Sequence, residues 1–161
     1  MAREYYIGID PGAKGFACIY EVATNKYEHF PLFDGKRLNP KLLSRLDYIV
    51  TNYNVMAVIE SVHALHGQGV SSSFSFGQNF GMVLGALEAL DVPYSTAAPG
   101  RWQGTMWESC DKAPTTKLTS YSCARRLLPN MDFRRSERCK TFDDNLVDST
   151  LICLYAQRKQ L

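Results

Sequence analysis

The sequence has few cysteines and histidines, and their spacing does not suit a zinc site. The five cysteines form no CxxC pair, and none of the three histidines has zinc-finger spacing. We therefore expect reduced, packed thiols. The sequence also lacks an apolar run long enough to span a membrane, and its first residues, MAREYYIGID, lack a signal-peptide core. These absences predict a cytoplasmic protein, in a bacterium or in the host of a phage that encodes it, with no membrane partner.

A large excess of charge of one sign is missing as well, since the formal net charge is only +2. The basic residues are nevertheless concentrated: residues 101–161 hold 11 basic and 7 acidic side chains, against 7 and 9 in residues 1–100. Eight basic and two acidic residues lie between Lys112 and Lys140. Such a patch suits a polyanion, because each neutralised phosphate releases counterions. A solvated face without a ligand is the alternative.

The 161 residues contain no linker or repeat, so we predict one domain, residues 1–161. Periodicity predicts three antiparallel strands (YYIGID, GFACIYEV, KYEHFPL), a helix (LNPKLLSRLDYIVTNYN) and a fully buried strand (VMAVIE). A helix starting near Phe76, a strand (VPYST) and a turn or short helix (APGRWQ) follow. Two helices complete the chain, TTKLTSYSCARRLLP and TFDDNLVDSTLICLYAQRKQ, the second capped by Thr141 with Asp144 as its capping-box partner. This order predicts an α/β fold with a mixed sheet flanked by helices.

Several carboxylates lie at positions where a charged side chain contributes little to folding. Asp10 ends the first strand before a Pro-Gly turn, Glu60 ends the strand VMAVIE, and Asp144 and Asp148 share one face of the last helix. If the first and fourth strands are neighbours, these acids converge, and crowded carboxylates repel one another unless cations separate them. Oxygen ligands favour Mg²⁺ or Mn²⁺, and two such ions would serve phosphodiester cleavage. Taken singly, Asp10 could serve only the turn and Asp144 only as a helix cap.

The segments IGIDPGAKG, VIESVHA, GQNFGMVLGALEALDVPY and KTFDDNLVDSTLICLYA, in this order, resemble the RuvC family of Holliday-junction resolvases, especially its phage-like members. The resemblance implies an RNase H-like fold with a five-stranded sheet, a three-stranded antiparallel meander plus two parallel strands. It also implies a homodimer that nicks four-way DNA junctions symmetrically with two Mg²⁺ (or Mn²⁺) ions per site, and a branch-migration helicase partner. Asp10, Glu60 and Asp148 match the family's acids; Asp144 matches the fourth at the phage-like spacing, with Asn145 as a weaker ligand or neighbour.

The resemblance also implies roles for DNA-contacting residues. Lys117 stands where the family carries a lysine near the scissile phosphate, and an exposed helix lysine is the alternative reading. Gln103 replaces a second lysine that the family often has, so Arg101 or Lys112 would substitute. His63 would stack on a base at the junction centre, or it has no role. The complete predicted DNA-binding set is His63, Arg101, Lys112, Lys117, Arg125, Arg134, Arg135, Arg138 and Lys140.

Small residues of the helix after VIESVHA, at Gly77, Gly81 and Gly85, would form the dimer contact or pack on the sheet. Two alternative functions stay open. The protein could be an RNase H-type enzyme that cuts RNA–DNA hybrids, or a module that binds branched DNA without cutting it. The segment GIDPGAKG also resembles the phosphate hairpin of actin-like and sugar-kinase folds. Those folds need two such domains, for which 161 residues leave no room.

Overall fold

The computed structural model describes residues 2–61 and 69–161 of the chain. The predicted strand VMAVIE and helix TTKLTSYSCARRLLP are both present. In chain order the elements are β1 (Tyr5–Ile9), β2 (Phe16–Glu21), β3 (Lys26–Pro31), β4 (Phe33–Asp34), β5 (Arg37–Leu38), α1 (Pro40–Asn52), β6 (Val55–Glu60), α2 (Val70–Ala89), β7 (Tyr94–Ala97), α3 (Pro99–Met106), α4 (Thr116–Leu127) and α5 (Asp144–Lys159).

The main sheet has five strands in the order β3-β2-β1-β6-β7. The first three strands form an antiparallel meander, and β6 and β7 run parallel to β1. This confirms the predicted mixed sheet. All five residues of β1 are buried, as expected of a central strand covered on both faces. A second hairpin of β4 and β5, which was not predicted from the sequence, turns at Gly35 with a positive φ of 65°.

Helices cover both faces of this sheet. On one face, α1 and α2 contribute Leu46 and Leu87 to a core with Ile7 and Ile9 of β1. On the other face, α5 packs across β1 and β2, and α3 and α4 pack against it. The approach of α5 is very close at Gly8, where a methyl group would overlap the backbone of the helix. A glycine at this position therefore allows α5 to lie directly over β1.

Two predicted helix boundaries are wrong. Helix α2 begins at Val70 rather than near Phe76, because the serine-rich segment before Phe76 contains no glycine or proline that would end a helix. Helix α5 is capped by Asp143 rather than Thr141: the Asp143 side chain accepts hydrogen bonds from the backbone N–H groups of the second and third helical residues. Asp144 is therefore the first residue of the helix and not a capping-box partner.

The prediction that all cysteines are reduced is wrong for one pair. Cys110 follows α3, Cys123 is buried on α4, and the structure joins them in a disulfide. Their Cα atoms lie 6.1 Å apart, within the usual range for such a bond. Cys18, Cys139 and Cys153 are free thiols, as predicted. Within residues 2–61 and 69–161, no helix is long and apolar enough to cross a membrane.

Candidate active site

Two carboxylates leave the central strands at the same edge of the sheet. Ile9 of β1 pairs with Ile59 of parallel β6, so Asp10 and Glu60 follow side by side at the carboxyl ends of these strands. The turn after β1 holds Asp10 in place: its backbone N–H donates to the carbonyl of Phe16 at 3.1 Å, and its Oδ1 accepts from the N–H of Gly12 at 3.3 Å. Neighbouring strands and a tight turn therefore fix the first half of the site.

Helix α5 brings two further acids to this edge. Asp144 and Asp148 are one turn apart on the same face of the helix. Burial, followed by the negative charges of Asp148 and Glu60, raises the pKa of Asp10 to about 7. Burial likewise raises the pKa of Asp148 to about 7, supported by repulsion from Glu60 and Asp144, while the neighbouring Ser120 hydroxyl opposes the shift. The four predicted acids thus interact electrostatically at one place.

Glu60 has a fixed orientation. Its Oε2 accepts a hydrogen bond of 2.8 Å from the indole Nε1 of Trp102, which lies fully buried on α3. Burial raises the pKa of Glu60, and this hydrogen bond acts in the opposite direction. Trp102 was not among the site residues predicted from the sequence. A buried tryptophan N–H usually donates to some acceptor, but the sequence does not show which residue accepts from Trp102.

Asp144 pairs with Lys117, the predicted phosphate-contacting residue. Nζ of Lys117, near the start of α4, lies 2.5 Å from Oδ2 of Asp144. Burial acts to raise the pKa of Asp144, but the Lys117 ammonium, a backbone N–H and the charge of Arg135 together outweigh it and lower the pKa. The same contact raises the pKa of Lys117. The structure therefore places a cation and a carboxylate in direct contact at the outer end of the acidic cluster.

The oxygen atoms of this cluster suit a hard divalent cation. Oδ1 of Asp148 is buried and has no hydrogen-bond partner among the described residues, so a ligand would satisfy it. As they stand, no three acidic, histidine or cysteine side chains in residues 2–61 and 69–161 are close enough to share one ion. Glu60 and Asp144 each have an oxygen engaged by a neighbouring side chain. The donor chemistry fits Mg²⁺ or Mn²⁺, and the acids would have to come closer together than they stand here to share an ion, with Glu60 binding through the oxygen that Trp102 leaves free.

Comparison with known proteins gives matches at the level of structure. No family model and no curated protein matches the sequence. Thermus thermophilus RuvC in complex with a Holliday junction substrate matches with a TM-score of 0.57 at 16% identity, over 96% of this chain and 95% of that one. A second T. thermophilus RuvC structure matches with a TM-score of 0.53 at 14% identity, over 96% of both chains. The yeast mitochondrial Holliday junction resolvase Ydc2 matches with a TM-score of 0.55 at 16% identity, over 96% and 78%.

The chain has a RuvC-like fold. The five-stranded mixed sheet that the resemblance implied for an RNase H-like fold is thereby confirmed. Within this RuvC-like fold, Asp10 and Glu60 stand at the ends of adjacent strands and α5 lies over them.

The predicted DNA-binding residues of this RuvC-like chain fall into two groups. Arg101, Lys112, Arg138 and Lys140 are exposed, with no side-chain partner among the described residues, and Arg125 makes only a 3.4 Å contact to a backbone carbonyl. The remaining arginines have intramolecular partners. Arg134 is held by Asp132, and Arg135 donates to Asp143 at 2.7 Å. His63 lies outside the described residues.

Replacing Trp102 with phenylalanine is expected to weaken metal binding. The variant keeps most of the buried ring but loses the N–H that orients Glu60. Groups that orient metal ligands typically contribute 10–100-fold, so we expect about tenfold weaker Mg²⁺ affinity in thermal-shift titrations. Trp107→Phe is the matched control, because Nε1 of Trp107 has no hydrogen-bond partner among the described residues. Equal Mg²⁺ affinities for the two variants would contradict the orienting role.

Proposed function

We propose that this protein is a metal-dependent endonuclease that resolves four-way DNA junctions. The observation that carries the proposal is the electrostatic cluster of Asp10, Glu60, Asp144 and Asp148 at one edge of a RuvC-like sheet. A protein that only bound DNA would gain nothing from four negative charges facing a phosphate. The three similar solved structures, two of RuvC and one of a mitochondrial resolvase, support junction DNA as the substrate.

In the proposed mechanism, Asp10, Glu60, Asp144 and Asp148 would hold two Mg²⁺ or Mn²⁺ ions. The ions would supply Lewis acidity and a water of lowered pKa for phosphodiester hydrolysis. Trp102 keeps one Glu60 oxygen in a fixed direction. Lys117, exposed at its tip and paired with Asp144, would turn toward the scissile phosphate and stabilise the charge that develops there.

The exposed cations supply the proposed DNA surface. Arg125 and Lys140 line a groove of about 420 Å³ next to the stacked rings of Tyr121 and Phe142. Tyr121 directly follows Ser120, the α4 residue that acts on the pKa of Asp148. We propose that the DNA backbone leaves the active site along this groove, where each neutralised phosphate adds salt-dependent affinity.

A homodimer is proposed through α2. Gly77, Gly81 and Gly85 lie four residues apart on one exposed face, and a methyl group added at any of them would meet nothing within 4 Å. These three glycines therefore do not pack on the sheet of their own protomer, which was the alternative interpretation of their spacing. Phe74 on the same helix is 74% exposed. Small residues in such a row allow a second helix to approach closely, and two protomers would cut two strands of one junction.

A branch-migration helicase stays a predicted partner of this protein. The cytoplasm stays its predicted location.

The proposal is tested by incubating the protein with a labelled four-way junction, a linear duplex and an RNA–DNA hybrid, each with and without Mg²⁺. We expect paired nicks at symmetric positions on the junction, only with the metal, and no cutting of the other two. Cutting of the hybrid alone would favour an RNase H-type enzyme. Junction binding without cutting under every metal condition would favour a DNA-binding module.

A further inference from the structure

Arg135 connects two parts of the chain that each carry site acids. It lies between α4 and α5, and its Nε donates to Oδ2 of Asp143 at 2.7 Å. Its Nη2 donates to the backbone carbonyl of Lys14 at 2.9 Å. Its guanidinium carbon lies 4.9 Å from the ring centre of Phe16, the first residue of β2. One side chain therefore contacts the start of α5, the β1–β2 turn and the adjoining strand.

The first contact fixes the start of α5. Asp143 caps this helix with its Oδ1, which accepts from the backbone N–H groups of Asn145 at 3.0 Å and Leu146 at 3.2 Å. Its Oδ2 is bound by Arg135, so a single carboxylate joins the guanidinium to the helix. The next residue is Asp144, and Asp148 follows one turn later. A shift of this cap would move both acids.

The second and third contacts fix the turn that carries Asp10. Lys14 lies in this turn, between Gly12, whose N–H donates to Asp10 Oδ1, and Phe16, whose carbonyl accepts from the Asp10 backbone N–H. Arg135 binds the carbonyl of Lys14 and covers the ring of Phe16. It therefore contacts this turn at Lys14, between the two residues that hydrogen-bond Asp10, and at Phe16, which is one of them.

We propose that Arg135 is a positioning residue that sets the separation between Asp10 and the two acids of α5 for divalent-ion binding. The role rests on the proposed metal-dependent function, and it differs from the DNA contact that the sequence predicted for Arg135. The neighbouring basic residues show the contrast: Arg134 binds Asp132, two residues away, and Arg138 is exposed without a side-chain partner in the described part of the chain.

Arginine suits this task better than lysine. Its planar group donates in two directions at once, here to a carboxylate and to a carbonyl, while its face covers an aromatic ring. A lysine would keep the positive charge but would not reproduce these three contacts. Arg135→Lys therefore separates positioning from charge: a DNA contact that needs only a cation survives this substitution, and the positioning role does not.

The first test measures Mg²⁺ and Mn²⁺ binding by thermal shift, without DNA. We expect Arg135→Lys and Arg135→Gln to weaken ion affinity about tenfold, as is typical for groups that orient metal ligands. Asp143→Asn keeps a good helix cap but removes the charge that binds Arg135. Its effect should be smaller, because the contacts of Arg135 to Lys14 and Phe16 remain, and the double variant Asp143→Asn with Arg135→Lys should lose little more than Arg135→Lys alone, because both substitutions remove the same Arg135–Asp143 contact.

The second test measures junction binding in EDTA at several salt concentrations. Arg135→Lys should bind the junction as the wild type does, whereas Arg138→Gln should keep its metal affinity and lower the salt-dependence slope by about 0.9. Wild-type ion affinity in Arg135→Lys overturns the positioning role, as does a wild-type protein that shows no ion-induced shift. If the wild type binds ions but cuts no junction, the proposed function fails while the thermal-shift comparison still decides the role of Arg135.

Discussion

Asp10→Asn and Glu60→Gln are each expected to abolish junction cleavage while junction binding persists. Each substitution keeps the shape of the side chain but removes a negative charge from the strand ends where the two acids emerge together. Stabilisation of the transition state by bound divalent ions is worth several kcal/mol, so the loss should be about 10³-fold or more in cleavage rate. Junction affinity, measured in EDTA, should stay the same or rise, because a charge that repels phosphate is gone.

The matched control for these variants is Asp47→Asn. Asp47 is an exposed carboxylate of α1, and this helix lies on the face of the sheet opposite α5. The control changes the net charge equally but should leave cleavage at the wild-type rate. Undiminished turnover in either Asp10→Asn or Glu60→Gln would refute the assignment of the site. Equal losses in all three variants would point to net charge rather than to metal ligation.

Without metal, the folded state is expected to lose stability as the pH rises from about 4 to about 7. The pKa of both Asp10 and Asp148 is raised from 3.8 to about 7, mainly by burial. Below pH 3.8 both groups are protonated in either state. Between the two pKa values the folded protein binds more protons than the unfolded chain, so the free energy of unfolding decreases with pH and becomes constant above about 7.

This decrease should lie between about 4 and about 8 kcal/mol in total. A shift of roughly three pKa units corresponds to about 4 kcal/mol for one group. The two groups share part of their mutual repulsion, so we do not expect the full sum. Denaturant unfolding in EDTA across this pH range measures the effect, and the Asp10→Asn, Asp148→Asn double variant is the control. It should be more stable than the wild type at pH 8 and should lack the decrease. A wild-type stability that rises with pH relative to this variant would contradict the prediction.

Divalent ions should restore the folding stability that is lost as the pH rises, and their stabilising effect should be larger at high pH. Ions bind the ionised carboxylates, so protons compete with them below a pH of about 7. Thermal-shift titrations with Mg²⁺ should show tighter binding at pH 8 than at pH 5.5, with roughly a tenfold change in affinity per pH unit for each proton displaced. The double variant should show no such response. A Mg²⁺ affinity independent of pH would be inconsistent with binding at these acids.

The N-cap of α5 shows that sequence rules alone do not identify which residue caps a helix. Thr141, Asp143 and Asp144 are all acceptable caps within four residues, and the sequence favours Thr141 by the capping-box rule. The structure selects Asp143, whose backbone N–H donates to the carbonyl of Phe133 at 2.8 Å and whose carboxylate binds Arg135. These are tertiary contacts, and the local sequence does not contain them. The same holds for Trp102 and Glu60, which are 42 residues apart in the chain.

The sequence by itself determined the main strands, the helices α1 and α4, and the identity of the acids at the strand ends and on α5. These features follow from apolar periodicity and turn chemistry, which act over a few residues. Only the tertiary structure decided which groups hold those acids: Trp102 for Glu60, Lys117 for Asp144, and Arg135 for the cap of α5 and the turn after Asp10. Such pairs depend on how helices pack across the sheet, and packing joins residues that no local pattern relates.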